Sequence, residues 1–477
     1  MMQVSIRKFE EHDIPNKIKW VNDPENNRFL HYDLPLEYDK TVSWFAKNKD
    51  SKERFDAVIC VDDVPVGLIG LLSISEDTKD AEYYILIGDR TYLGKGIALK
   101  ASKLLLSYAF STLMLRRVYL FVEVGNSSAI HLYERLGFVK DALLKNDLVY
   151  CGRSVDRYKY FITKDRFYST IDTPIHYMGD INGNEIFVKR EDFIPFSFGG
   201  NKARKARLFF EIIDNGCYDS VVTYGSSSSN HCRVVANMAA KRNMPCYIIS
   251  PIESAEKTHN SVLMKLLGAQ IVFCSLDKVS ETIDNQLSAL MLAGKKPYFI
   301  QGGGHGNIGT QAYVDCYDEI VRYEKDNDLN FRYVFHASGT GTTQAGLVCG
   351  AILHRDEEIK RIVGISIARK NPRGRNVVLD SIKCYLSEHQ FDYSDEIVDK
   401  STVFIDNYVD GGYGNASDEL KNNILNLFVQ YGIPFDSTYT GKAFCGMLSF
   451  LKDRGIVGEK VLFIHTGGTP LFFDNLI

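Results

Sequence analysis

Lys202 follows two glycines and an asparagine in "SFGGNKARKARLFF", Ser197 to Phe210, where a loop passes into a run with helical spacing. A lysine fixed at such a junction, beside free helix N–H groups, suits Schiff-base chemistry, because its position is set and its ammonium can be shifted toward the reactive amine. From this window alone, a solvated lysine on a basic helix with Arg204, Lys205 and Arg207 fits as well. Two further windows add partners. In "VVTYGSSSSNHCRVVANMAAKRNM" an apolar strand and a Gly/Ser turn lead into a helix, so Ser229, Asn230 and His231 cluster where helix amides can meet a carboxylate. In "YVFHASGTGTTQAGLVCGAI" a strand leads into a loop with the form of a phosphate cradle. Gly339 and Gly341 there permit close approach, and Thr340, Thr342 and Thr343 bring hydroxyl donors. Lysine, carboxylate cradle and phosphate cradle together suggest pyridoxal phosphate.

A second phosphate signal lies in the first third of the chain. "EYYILIGDRTYLGKGIALKASKLLLSYAFSTLMLRRVYLFVEV" reads as a strand (Tyr83 to Ile87), a glycine loop, a helix with apolar Leu99, Leu104, Leu105 and Ala109, and a strand from Val118 to Val124. The loop, Arg90-x-x-x-Gly94-x-Gly96, offers unpaired N–H groups and the positive end of a helix dipole to an anion. A plain glycine-rich turn fits the same residues. Downstream, "VEVGNSSAIHLYERLGFV" places Asn126 in a turn, Ile130 and Tyr133 on a short helix, and Gly137 before another strand.

The elements that must position these residues fall into two blocks. The chain has 477 residues, more than one core usually serves, and strand-like text gives way to a polar, Pro-containing passage around "ITKDRFYSTIDTPIHYMGD". The second block contains four strand-loop-helix units, beginning near Val221, Cys246, Phe299 and Val334, which predict parallel sheets in α/β lobes. A net charge of −4 argues against a dedicated nucleic-acid binder and for small-molecule partners. No apolar run approaches the ~18 residues that span a bilayer, so no membrane association is expected. The ten cysteines show no metal-ligand spacing and read as reduced thiols in a cytoplasmic enzyme, with no metal expected.

The Gly94/Gly96 loop and the Asn126 to Gly137 stretch resemble the GCN5-related N-acetyltransferase (GNAT) family over roughly residues 1 to 165. The resemblance implies that acetyl-CoA pyrophosphate sits on the amides of Leu93, Gly94, Lys95, Gly96, Ile97 and Ala98. It also implies that Asn126 contacts the cofactor and that Tyr133 protonates the departing thiolate, although a buried core tyrosine fits that position too. Glu82 and Glu123, on the strands flanking the loop, are candidate bases for the acceptor amine, or else surface carboxylates. "KWVNDPENNRFL" and "TVSWFAKN" are similar to acetyltransferases acting on nucleotide-linked amino sugars, which leaves an amino sugar and an amino acid both open.

From Thr173 onward the motifs "FVKRED", "GGNKARK", "SSNHCR", "ASGTGTTQAGL", "DGGYGNASDE", "DSTYTGKAFCGM" and "VLFIHTGGTP" occur in order. They resemble fold-type II pyridoxal-phosphate enzymes of the D-cysteine desulfhydrase and 1-aminocyclopropane-1-carboxylate deaminase group. The resemblance implies an α/β fold: a GNAT domain over 1–166, then a two-lobed, tryptophan synthase β-like domain with parallel sheets over 172–477, paired as a homodimer. It makes Lys202 the Schiff-base lysine beside Asn201, residues 339–343 the phosphate loop, and Ser229, Asn230 and His231 the substrate-carboxylate and catalytic cluster. Tyr413 and Tyr439 line the substrate face.

Thr440 stands where the deaminase branch places a glutamate against the pyridine nitrogen. A neutral hydroxyl holds the pyridinium weakly, so loss of a β-substituent is favoured over ring opening. His305 departs from the small residues usual in "FIQGGGHGNIG" and either admits a larger polar side chain or sits on the surface. The whole reads as a bifunctional enzyme using pyridoxal 5'-phosphate and acetyl-CoA on a small amine and a small, D-configured amino acid. The alternatives are one catalytic half with a regulatory partner, or a deaminase-type second half.

Overall fold

Runs that alternate, as in β5, or stay apolar, as in β2, make seven strands of the first 170 residues: β1 (Val4–Lys8), β2 (Phe55–Val61), β3 (Val64–Ser75), β4 (Asp80–Ile87), β5 (Arg117–Glu123), β6 (Val139–Tyr150) and β7 (Arg153–Thr163). The computed structural model describes residues 3–150, 152–169, 172–255, 257–356, 360–409, 411–474 and 476. Its two compact units are Met1–Thr170 and Ile171–Ile477.

In the first unit the sheet runs β1-β2-β3-β4-β5-β7-β6, antiparallel except where β4 meets β5. Helices α1 (Ile14–Asn22) and α2 (Tyr38–Asn48) come before β2; α3 (Ile97–Ser111) and α4 (Ser127–Arg135) flank β5; α5 (Lys164–Ser169) closes the unit. Helix α3 buries Ile97, Ala101, Leu105 and Ala109 against the sheet, as its apolar spacing requires. Leu104, expected on that face, is 42% exposed, because it sits about 100° around the helix from Leu105.

The second unit holds two sheets. The smaller, β12-β11-β10-β13, is wholly parallel: β10 (Ser220–Tyr224), β11 (Cys246–Pro251), β12 (Gln270–Cys274) and β13 (Pro297–Ile300). The larger runs β16-β15-β14-β17-β9-β8, with β8 (Ile175–Ile181), β9 (Asn184–Lys189), β14 (Tyr333–Ser338), β15 (Arg361–Ser366), β16 (Thr402–Ile405) and β17 (Lys460–Ile464). Only the β8–β9 hairpin is antiparallel. Successive residues of β14 show why these strands read as near-continuous apolar runs. Val334 enters one core and Phe335 the other, so both faces are buried. The four strands expected near Val221, Cys246, Phe299 and Val334 are β10, β11, β13 and β14.

The helices of this unit are α6 (Asn201–Asn215), α7 (Asn230–Ala240), α8 (His259–Leu266), α9 (Val279–Leu292), α10 (Asn307–Asn327), α11 (Thr342–His354), α12 (Arg373–Glu388), α13 (Asp395–Ser401), α14 (Asp418–Tyr431), α15 (Thr440–Asp453) and α16 (Thr469–Phe473). No helix among the described residues is long and apolar enough to cross a membrane.

Candidate active sites

A cavity of about 840 Å³ opens at the carboxyl ends of the parallel strands of the second unit. Of its lining, Gly225, Ser226 and Ser229 follow β10, Gly302, Gly303 and His305 follow β13, the glycine loop from Gly339 follows β14, and Thr466 and Gly467 follow β17. Strand ends in such sheets leave a crevice between loops, and ligands of α/β folds bind there.

Lys202 enters the cavity from the first turn of α6. The turn is fixed by backbone packing: Gly200 has φ +94°, and a Cβ on it would come within 2.7 Å of the Thr466 carbonyl oxygen. Asn201 N–H donates to that same carbonyl at 2.9 Å. Lys202 Nζ donates to the Gly303 carbonyl at 2.9 Å, and burial lowers its pKa to about 8. Beneath it, Arg204 forms ion pairs with Glu191 and Glu319, and Glu319 also pairs with Lys189, all four buried. Removing charged groups from water is costly unless they are paired, so this network fixes the register of α6.

The glycine loop ends at the N-terminus of α11, whose cap, Gly341, has φ +99°. Gly339, Thr340, Gly341 and Thr343 line the cavity. Asn201 Nδ2 donates to Thr343 Oγ1 at 3.1 Å, tying the lysine loop to this one. The side chain of Thr342 turns away, and its hydroxyl accepts from buried Lys205 Nζ at 2.7 Å. Lys205, which the basic-helix reading put in solvent, therefore stands directly behind the loop. Its pKa is lowered by burial and then by the Lys202 charge. Helix amides, glycines and a nearby lysine suit a phosphate.

At the opposite wall Ser229 caps α7, its hydroxyl accepting from Cys232 N–H at 3.2 Å. The Asn230 amide oxygen is occupied by Asn260 Nδ2 at 2.9 Å and so does not compete for the N–H groups of Asn230 and His231, the helix-start donors suited to a carboxylate. His231 Nε2 contacts Thr223 Oγ1 at 2.9 Å, and burial holds the ring well below its ordinary pKa, hence neutral. Tyr413 and Tyr439 share a hydrogen bond of 2.7 Å between their hydroxyls at the cavity wall. Burial raises Tyr439 well above an ordinary phenol, so it stays protonated. His305 also lines the cavity, with Nδ1 3.2 Å from the Thr340 carbonyl, rather than sitting on the surface.

The structure corrects one residue. Thr440 is buried behind the wall, where its hydroxyl donates to Asp436 Oδ2 at 2.7 Å and accepts from the Asp436 N–H. That hydroxyl is consumed in capping a turn. Thr466, the first threonine of "HTGGTP", lines the cavity instead. The motif is visible in the sequence, but the role of its threonine is not, because which strand end faces the cavity is set by sheet order. Arg369, after β15, is a second lining residue without a sequence signal.

In the first unit, Gly94 and Gly96 have φ +74° and +72°, and a Cβ on either would meet nothing within 4 Å. The loop thus lies open at the start of α3, with Gly96 as its cap. Strands β4 and β5 pair only from Asp80/Arg117 to Glu82/Tyr119, although they continue to Ile87 and Glu123. Their diverging edges leave backbone groups available beside the loop. Asn126 is committed to capping α4, where its side chain accepts from Ala129 N–H at 3.2 Å. Tyr133 is buried against Tyr83 and Phe138, and burial raises its pKa. Of the two candidate bases, Glu123 accepts from His31 Nε2 at 2.9 Å, while burial raises Glu82.

A lysine facing two helix-start cradles in the second unit, and an open glycine loop beside splayed strands in the first, define a pyridoxal-phosphate enzyme joined to an acetyltransferase. The chain belongs to the pyridoxal-phosphate dependent enzyme family, whose model matches residues 167–467, and it carries an acetyltransferase (GNAT) domain matched over residues 3–139. The families imply pyridoxal phosphate and acetyl-CoA as cofactors. A putative 1-aminocyclopropane-1-carboxylate deaminase of Pyrococcus abyssi is 33% identical over 312 residues, covering 63% of this chain and 91% of that protein. A crystal structure of an ACC deaminase homologue matches with 30% identity and TM-score 0.57, over 65% of this chain and 94% of that one. The spermidine N-acetyltransferase from Vibrio cholerae, solved with CoA and spermine, is 27% identical over 35% of this chain and 98% of its own, with TM-score 0.33.

Proposed function

We propose that the chain is bifunctional: the second unit eliminates a β-substituent from a small amino acid, D-configured by family resemblance, and the first N-acetylates a small amine, an amino sugar or an amino acid. The observation that carries the second activity is Lys202 Nζ in a cavity between a glycine loop and the start of α7. Pyridoxal phosphate, when bound, supplies an electron sink for the carbanion left by loss of the α-proton. The residues of the chain do the rest. The 339–343 loop with Lys205 behind it would hold the phosphate, and Ser229 with the Asn230 N–H would hold the substrate carboxylate. Lys202, with its lowered pKa, takes the α-proton, while the Tyr413–Tyr439 pair moves a proton at the leaving group.

The preference for elimination rests on Thr466 rather than Thr440. The described lining of the larger-sheet lobe offers hydroxyls and no carboxylate to hold a ring nitrogen protonated. Cysteine and water would then give pyruvate, ammonia and sulfide. A second reading, opening of 1-aminocyclopropane-1-carboxylate with water to 2-oxobutyrate and ammonia, is favoured by the name of the Pyrococcus relative. Assaying both keto acids from β-chloro-D-alanine, its L-enantiomer and the cyclopropane substrate decides between them. Pyruvate alone supports elimination; 2-oxobutyrate with no pyruvate from either enantiomer refutes it.

In the first unit the Leu93–Ala98 amides would hold the pyrophosphate, the free edge of β4 the thioester carbonyl, and Tyr133 would protonate the thiolate. Glu82 or Glu123 would take the acceptor's proton. The resemblance extends to a homodimer formed through the second unit, which sedimentation of the full chain tests.

A further inference from the structure

We propose that the amino acid taken by the second unit carries a second acidic group on its side chain, a carboxylate or a phosphate, and that Arg369 receives it. The inference rests on the pyridoxal reading above and specifies its substrate class.

Two anions are already provided for: the cofactor phosphate by the glycine loop and the substrate carboxylate by the start of α7. One cation of the lining is left over. Arg369 follows β15 on a segment held at several points: Ser366 Oγ donates to the Arg369 carbonyl at 2.6 Å, Lys370 Nζ to the Asp406 carbonyl at 2.9 Å, and Asn371 N–H to Asp406 Oδ2 at 2.8 Å. The backbone that carries Arg369 is therefore fixed, and the residue lines the cavity. Nη1 is buried and meets no acceptor among the described residues. A buried N–H left unpaired is costly, and an ionised acceptor on a ligand satisfies it with a charge-assisted bond.

The surroundings repeat the sign. Arg373, close enough to lower the Arg369 pKa after burial has done so, has no ion-pair partner among the described residues. His305 in the same wall adds no charge of its own, because burial and the nearby cations Lys205 and Arg369 lower its pKa. The one carboxylate among the described lining residues is Glu253, beyond β11 in the smaller-sheet lobe, where it accepts from Leu276 N–H at 3.2 Å. A neutral side chain would leave Nη1 unsatisfied, so the site discriminates by what it leaves unpaired as well as by what it binds.

The test is calorimetric titration of the full chain, loaded with pyridoxal phosphate, with both enantiomers of alanine, aspartate and O-phosphoserine. An acidic member should bind at least about tenfold tighter than alanine of the same hand, the yield of one charge-assisted hydrogen bond. Arg369→Gln should remove that advantage while alanine affinity and bound pyridoxal phosphate stay unchanged, and Arg369→Lys should keep part of it. No advantage in the wild type overturns the inference, as does an Arg369→Gln protein that loses pyridoxal phosphate and alanine binding together, which would make Arg369 a cofactor residue. A chain that takes up no pyridoxal phosphate overturns the underlying reading as well.

Discussion

Burial of Lys202 has a consequence for how the second unit takes up its cofactor. A Schiff base forms from the free amine, and burial lowers the Lys202 pKa from 10.5 to about 8. That shift corresponds to roughly 3 kcal/mol against the ammonium. At pH 7 it leaves about one lysine in ten as free amine, against about one in three thousand for an ordinary lysine, a gain of roughly 300-fold. The sign is fixed by the direction: as pH rises through the lowered value, the reactive fraction rises and then levels off. Stopped-flow absorbance at roughly 410 to 430 nm, where pyridoxal Schiff bases absorb, follows the step when the chain freed of cofactor is mixed with pyridoxal phosphate. The rate should climb about tenfold per pH unit below 7 and reach a plateau by about pH 9. A rate still climbing about tenfold between pH 8 and pH 9 would show an unshifted lysine and refute the argument from burial.

Three further outcomes follow from the geometry. Tyr133→Phe should lower the acetyl-transfer rate at least about tenfold while acetyl-CoA affinity, measured by titration, changes little, because an acid acts in the transition state; equal losses would remove Tyr133 from that role. Gly467→Ala, at φ +98° and with its Cβ 2.6 Å from Gly200 Cα, should weaken pyridoxal phosphate binding severely, whereas Gly268→Ala, at φ +76° with open space around it, should cost only about 1 kcal/mol in urea unfolding. Glu191→Gln strips buried Arg204 of a partner held at 2.5 Å and should destabilise the second unit by about 3 kcal/mol, read from its urea midpoint; a loss under about 0.5 kcal/mol would show that the network is not what fixes α6.

Much of the fold is legible in the chain because strand and helix periods differ. The apolar runs at Val221 and Val334 are buried on both faces, and continuous apolar text is what such strands require. The glycine loops are legible too, since Gly341 and Gly96 adopt a positive φ that side-chain-bearing residues avoid. What sequence spacing does not carry is which side of a turn a hydroxyl takes. Thr440 and Thr466 both stand in recognisable motifs, yet Asp436 draws the first out of the cavity. Lys205 and Arg369 were unreadable for a related reason: a basic residue on a helix or loop looks solvated until the elements packed over it are known.

The most direct test of the account is borohydride reduction of the purified full chain, followed by peptide mass mapping. The account predicts one pyridoxyl adduct, on Lys202, absent from Lys202→Ala. An adduct on Lys205 or any other lysine of the wild type, or none after incubation with pyridoxal phosphate, would contradict it.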